Sequence, residues 1–315
     1  MADNASPFLT AEWRHLVMLN YEVDPNVLTS YLPRGTELDL FQEQCLISLV
    51  GFQFRETSLR GWRIPWHVNF DEVNLRFYVR RVVNGQVRRG VVFLREIVGR
   101  HAISWVANRI YHENYVTHPI FSRIIASAAL PDATGLTVPR QQIRYHWRAR
   151  GQEFQFGCDS AGEPTPLVPG SISEFITEHY WGYVRRRDGS TGEYEVRHPA
   201  WRVWQPVQVF ASPQIAAYYG GPFEAALSQP AHSALLAEGS AVSVHPGRII
   251  ERQEAAFCRS GSWPAFQILT QEVRSNTSPC QRSVPVALMT ADCYLSISKT
   301  RPPLVGQALG LPSRY

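Results

Sequence analysis

Four polar residues on two neighbouring runs mark the first place in this sequence where chemistry could be done. Glu72, Asn74 and Arg76 recur at every second position, so they project from one face of an extended segment, and Arg95 stands on the run that follows. A carboxylate can move protons, an amide can orient a ligand, and a guanidinium fork suits a carboxylate or an oxyanion. The same four side chains would serve equally as a solvated outer face tied by cross-strand ion pairs, and from the residues alone that plainer reading leads. His101, after Gly99-Arg100 at the expected start of a helix, is a further residue that could touch a ligand, although lone histidines are commonly just satisfied polar groups. His112-Glu113 and Glu178-His179 are adjacent pairs, and neighbours along a strand or helix do not face one site. There is no HExxH, no GxSxG, no P-loop and no GxGxxG after a strand, which argues against a zinc protease, a serine hydrolase, an ATPase and a Rossmann enzyme. Five cysteines without a CxxC read as reduced structural thiols, so neither a metal nor a cofactor is expected.

The elements that must carry these residues are mainly strands. Glu72–Val83 and Gln86–Val98 alternate on either side of Asn84-Gly85, the preferred pair for a type I′ hairpin turn. In that register Val83 pairs with Gln86, Arg76 with Phe93 and Asn74 with Arg95. The polar face then carries Glu72, Asn74, Arg76, Tyr78 and Arg95, and the other face is apolar. Trp13–Glu22 and Gln44–Arg55 are further strands, the second apolar almost throughout and so buried on both faces. Asp24-Pro25 opens a short helix to Leu32. A helix is expected over His101–Tyr111, then a connector from Pro119 to Pro139. Strands follow over Ile143–Arg150, Glu153–Cys158, Tyr180–Arg187, Glu193–His198 and Trp201–Phe210, with short helices at Ser171–Glu178 and from Ser212-Pro213 to Tyr219. This is an α+β pattern with a large, mostly antiparallel sheet, and closure into a barrel would remove its edges. From about Glu254 the composition turns to Ser, Pro and Thr with weak periodicity. The expectation is one domain over 8–254 and a poorly ordered tail over 255–315.

Composition narrows the partners. The net charge of +4 is almost all scattered arginine, Lys299 being the only lysine, so no basic stripe for nucleic acid is expected. No stretch has the roughly 18 to 20 consecutive apolar residues of a membrane span. Residues 1–10 lack a basic and an apolar region, so the default location is the cytoplasm. The nine tryptophans fall largely in expected strands and read as packing residues. A small-molecule ligand remains; the oligomeric state is open.

Several phrases together resemble the uncharacterised YqjF-like family. They are Trp13 to Tyr21 (WRHLVMLNY), Glu72 to Arg80 (EVNLRFYVR), Gly90 to Glu96 (GVVFLRE), Tyr111 to Tyr115 (YHENY) and His198 to Trp201 (HPAW). The resemblance covers about residues 8 to 250. That family is similar to a distant branch of the acetoacetate-decarboxylase-like superfamily, which implies a mainly antiparallel β-barrel with a central cavity and a few flanking short helices. It also implies residues. A pocket arginine on the first strand, followed by Tyr-x-x-Asp and a helix ending at proline, matches Arg14, Tyr21, Asp24 and Pro33. The pocket glutamate matches Glu72 in Phe70-Asp71-Glu72. A second family glutamate falls at Ser48 and is lost. The reactive lysine would fall near Ala102, beside His101, and is lost too. A Schiff base needs a primary amine, and Lys299 lies in the divergent tail, so decarboxylation through a lysine imine is not expected.

The resemblance tips the hairpin's polar face toward the cavity, and two classes of function then lead, ahead of a purely structural or interaction role. One is a lyase- or tautomerase-type enzyme on a small oxo acid, with Arg14 holding a carboxylate, Glu72 as general acid or base, and Asn74, Arg76, Arg95, Ser48 and His101 around the ligand. The other is a non-catalytic barrel that senses or carries a small acid. Exchange of the acid's protons with solvent separates them.

Overall fold

Asn84 and Gly85 both adopt left-handed backbone, with φ of 51° and 77°, as a type I′ turn requires. Across the turn β4 (Phe70–Val83) pairs with β5 (Gln86–Val98), Val83 opposite Gln86. The structure is a computed structural model, and it describes residues 6–100, 114–131 and 137–250, the backbone alone at 127–131 and 137. The expected helix from His101 and the tail from 255 lie outside the described residues.

The hairpin belongs to a sheet that closes on itself. Its other long strands are β1 (Leu9–Glu22), β3 (Leu46–Leu59) and β14 (Ser233–Val244), joined by β10 (Trp181–Arg185) and β11 (Thr191–Arg197). The order is β14-β1-β3-β4-β5-β10-β11, and β11 pairs back onto β14 through Val196 opposite Val244. The pairings are antiparallel except where β5 meets β10 and β6 (Tyr115–Thr117). Short strands β2 (Glu37–Leu38), β12 (Val203–Trp204) and β15 (Arg248–Ile250) extend the ring. A second sheet runs β13 (Gln208–Ala211), β9 (Gln152–Ala161), β8 (Thr137–Ala149), β7 (Ile120–Pro131). Short helices flank the strands: α1 (Pro25–Leu28), capped by Asp24, α2 (Ile172–Thr177), capped by Ser171, α3 (Gln214–Tyr219) and α4 (Glu224–Leu227). The α+β class and the mainly antiparallel closed arrangement expected from the sequence are what the fold has. No helix among the described residues is long and apolar enough to cross a membrane.

Two apolar layers explain the residue pattern. Outside the ring, Leu49, Leu75 and Phe77 pack against Tyr145, Trp147 and Phe156 of the second sheet. Inside it, Leu16, Met18, Phe52, Tyr78, Phe175 and Trp201 form the inner layer. The run from Leu46 to Phe54 on β3 is buried on both faces because it lies between the two. Gly51 allows the sheets to approach, since a Cβ there would stand 2.5 Å from the Tyr145 ring.

Three expectations change. The connector placed at Pro119–Pro139 is mostly β7 and the start of β8, because Ile120 to Ile125 is β-forming and its prolines sit at the strand's ends, where no ladder donor is lost. The strand expected over Trp201–Phe210 is two, divided at Gln205-Pro206-Val207, since proline interrupts a ladder. The strand β14, which closes the ring, was not expected at all: its alanines and Gly239 blur the alternation.

Candidate active site

The ring encloses a cavity of about 450 Å³, within the range of small-molecule sites. Most of its wall is apolar, including Trp13, Phe52, Phe54, Phe93 and Trp201. The polar groups come chiefly from β4. Because side chains alternate across a strand, Glu72, Asn74 and Arg76 face inward and all three line the cavity, while Asp71 faces the second sheet and accepts from the Ser122 backbone N–H at 2.7 Å.

Glu72 is 2% exposed. The Asn74 amide donates to its Oε1 and the Tyr115 hydroxyl to its Oε2, each at 3.1 Å. Burial pushes this carboxyl up to about 7; the two hydrogen bonds and the nearby Arg76 charge offset part of the effect. It is therefore a carboxyl poised to give and take a proton near neutrality. Asn74 is equally buried, and its Oδ1 has no hydrogen-bond partner among the described residues. Arg76 donates to the Ile176 carbonyl at 3.2 Å and lies beside the Met18 sulfur and the Tyr78 ring, which leaves its Nε without a partner among the described residues.

His179, just beyond α2, also lines the cavity. Its Nε2 is 3.1 Å from Asp39 Oδ2, which also accepts from Arg89 Nε at 2.7 Å. Burial alone would raise the Asp39 carboxyl, but the bonds from His179 and Arg89 outweigh it and hold Asp39 below its ordinary range. An ionised carboxylate only accepts, so the His179 proton sits on Nε2 and Nδ1 carries a lone pair. Burial lowers His179 to about 4 despite Asp39, so the ring is neutral at physiological pH.

Two β-bulges decide which of the other expected residues reach this site. On β5 Leu94 is an extra residue: Arg76 pairs with Phe93, but Leu75 pairs with Arg95 and Asn74 with Glu96. The expected pairing of Asn74 with Arg95 is thus corrected by one residue. Arg95 turns to the outer face, where its guanidinium stacks 5.3 Å from the Tyr218 ring, and Glu96 takes the inward place. On β1 His15 has φ 55° and breaks the pairing between Arg14 and Val17; the Tyr145 hydroxyl holds its carbonyl at 2.8 Å. Trp13, Leu16 and Met18 consequently face inward and Arg14 faces out. The Arg14 side chain is 39% exposed, paired with Glu12 at 2.9 Å, and is not among the described residues lining the cavity. Ser48 is fully buried opposite Arg76, bonded to Asn20 Oδ1 at 2.6 Å and Tyr78 Oη at 2.5 Å, and is not among the described residues lining the cavity. His101 lies outside the described residues.

The site thus brings together Glu72, Asn74 and Arg76 of the expected set and adds Glu96, Tyr115 and His179. The Arg95-Glu96 dipeptide and the YHENY phrase containing Tyr115 were visible in the sequence. His179 stood in the adjacent Glu178-His179 pair, whose spacing gives no reason to place it at a site. Among the described residues no three His, Cys, Asp or Glu side chains gather as metal ligands would.

The sequence matches no curated protein. Among solved structures, acetoacetate decarboxylase from Legionella pneumophila aligns over 78% of this chain and 88% of its own, with a TM-score of 0.52 at 12% identity. The enduracididine biosynthesis enzyme MppR with HEPES bound aligns over 78% and 88%, at 0.52 and 13%. The same enzyme complexed with pyruvate aligns over 79% and 92%, at 0.51 and 13%. At these identities the likeness is one of fold, and it agrees with the superfamily that the sequence resembles. The model of the DUF2071 family of uncharacterized conserved proteins matches residues 10–241, most of the length over which the ring is built, and the chain belongs to that family.

Proposed function

We propose that this protein binds a small oxo acid in the ring cavity and moves a proton on it, as a tautomerase- or lyase-type enzyme without a covalent amine. The observation that carries this reading is the Glu72 carboxyl, buried, held by Asn74 and Tyr115, raised toward neutrality and lining a cavity that Arg76 also lines. Arg76 takes the place first given to Arg14: among the described residues it is the guanidinium that lines the cavity, and its fork suits the acid's carboxylate. Glu72 as carboxylate removes a proton from the carbon next to the carbonyl. The C–H electron pair moves into a C=C bond, the carbonyl oxygen takes up the negative charge, and return of the proton to that oxygen gives the enol. No redox partner is needed. Arg76 and the Asn74 amide N–H that is not given to Glu72 donate to the charge that develops on oxygen. The residues matched by the family hold no lysine, so the route does not pass through an imine. A structural neighbour complexed with pyruvate supports the class of ligand.

The test is proton NMR of 2-oxo and 3-oxo acids in D₂O with the wild type and with Glu72→Gln. Exchange of the protons next to the carbonyl, lost in the variant, supports the enzyme. Binding without exchange in either protein makes the barrel a sensor or carrier of the acid.

A further inference from the structure

The cavity is much longer than a three-carbon acid. Its inward wall on β4 runs from Phe70 through Glu72 and Asn74 to Arg76, six steps of about 3.3 Å each, or roughly 20 Å of strand. A three-carbon oxo acid takes the room of three or four waters at about 30 Å³ each, so it would fill only about a quarter of the space. The two ends also differ in chemistry. At the Arg76 end stand the guanidinium and the Ile176 carbonyl it touches. At the other end the Phe54 and Phe70 rings stack with centroids 4.4 Å apart, Phe52 lies 5.1 Å from Phe54, and Trp13 lies 5.1 Å from Phe52 and 6.3 Å from Trp201. The loop between β3 and β4 continues this end with Ile64, which also lines the cavity.

Building on the oxo-acid reading above, we infer that the substrate is a 2-oxo acid carrying a bulky apolar or aromatic group on C3. The residues along β4 follow the same order as the groups of such a molecule, and the long Arg76 and Glu72 side chains converge, since the Arg76 charge acts on the Glu72 carboxyl. Arg76 faces the carboxylate, Asn74 the oxo oxygen, Glu72 the C3 protons, and Phe70 with its stacked partners the substituent on C3. The substituent removes from water the apolar wall that a smaller acid leaves wet. It also makes the C3 protons benzylic when it is aryl, which favours the enol.

Isothermal titration of the full chain tests this with four probes: pyruvate, phenylpyruvate, 3-phenylpropionate and phenylacetone. Phenylpyruvate is expected to bind at least tenfold more tightly than pyruvate, in line with the gain from filling an apolar pocket. Arg76→Gln should weaken both oxo acids about tenfold or more and leave phenylacetone unchanged. Phe54→Leu should weaken phenylpyruvate and leave pyruvate unchanged. If pyruvate binds as tightly as phenylpyruvate and still depends on Arg76, the substrate class is wrong while the oxo-acid reading stands. If phenylacetone binds as tightly as phenylpyruvate with no dependence on Arg76, the acid reading fails and the substrate class falls with it. Binding of 3-phenylpropionate as tightly as phenylpyruvate removes the role given to the oxo group and overturns the inference as stated. The comparison of ligands on the wild type needs no variant to fold.

Discussion

Replacing Glu72 by glutamine should make the protein more stable at pH 8 and not at pH 4. The folded chain holds the Glu72 proton more tightly than the unfolded chain does, because burial raises the carboxyl from its ordinary 4.5 to about 7. Its favourable contribution is therefore complete below about pH 4.5 and is lost as the pH rises toward 7. At 1.36 kcal/mol per pH unit the loss is about 3 kcal/mol between pH 4 and pH 8. Glutamine stays neutral throughout. It has one acceptor oxygen where Glu72 accepts from two donors, Asn74 and Tyr115, so the exchange costs about 1 kcal/mol at every pH. The variant should then be about 1 kcal/mol less stable at pH 4 and about 2 kcal/mol more stable at pH 8. For a domain of this size the gain at pH 8 is a rise of about 4 to 8 °C in Tm. Differential scanning fluorimetry of both proteins across that range reads the crossing. Profiles that run parallel, or a variant destabilised most at pH 8, would refute a buried carboxyl that resists ionisation.

Four further outcomes follow from the geometry. Arg14→Ala should change stability by less than about 0.5 kcal/mol and leave acid binding intact, since its partner Glu12 is as exposed as it is; calorimetry with phenylpyruvate checks both. Glu193→Ala should cost about 1.5 to 3 kcal/mol in urea unfolding, because the buried carboxylate accepts from Arg81, Arg88 and Arg248, while the three guanidinium groups left behind keep part of their hydration. Gly51→Ala should cost about 1 to 3 kcal/mol in the same measurement, as the new methyl meets the buried Tyr145 ring. Asp39→Asn should lower acid affinity or exchange rate without shifting their pH midpoint, because it frees the His179 tautomer while Glu72 still titrates; a shifted midpoint would assign the titration to the Asp39–His179 pair.

Strand class and the hairpin were legible because they rest on local rules: alternation, an Asn-Gly turn, and capping residues at Asp24 and Ser171. The inward place of Glu72, Asn74 and Arg76 came from their two-residue spacing together with the family resemblance. What alternation could not show were the two bulges. One extra residue at Leu94 exchanged Arg95 for Glu96, and His15 in left-handed backbone turned Arg14 out of the ring. The second is a tertiary effect: the His15 carbonyl is held by Tyr145 of the second sheet, far away in sequence. His179 enters the site through Asp39 and Arg89, which no spacing rule connects. Strand β14 was hidden because alanine and glycine carry little periodic signal, although the ring closes on it.

The most direct test is the pH dependence of C3 proton exchange in phenylpyruvate, followed by NMR in D₂O. The site described here predicts exchange that rises with pH through a midpoint near 7, persists in Arg14→Ala and vanishes in Glu72→Gln. Exchange that survives in Glu72→Gln at the wild-type rate would contradict the assignment of Glu72 as the proton-transferring group.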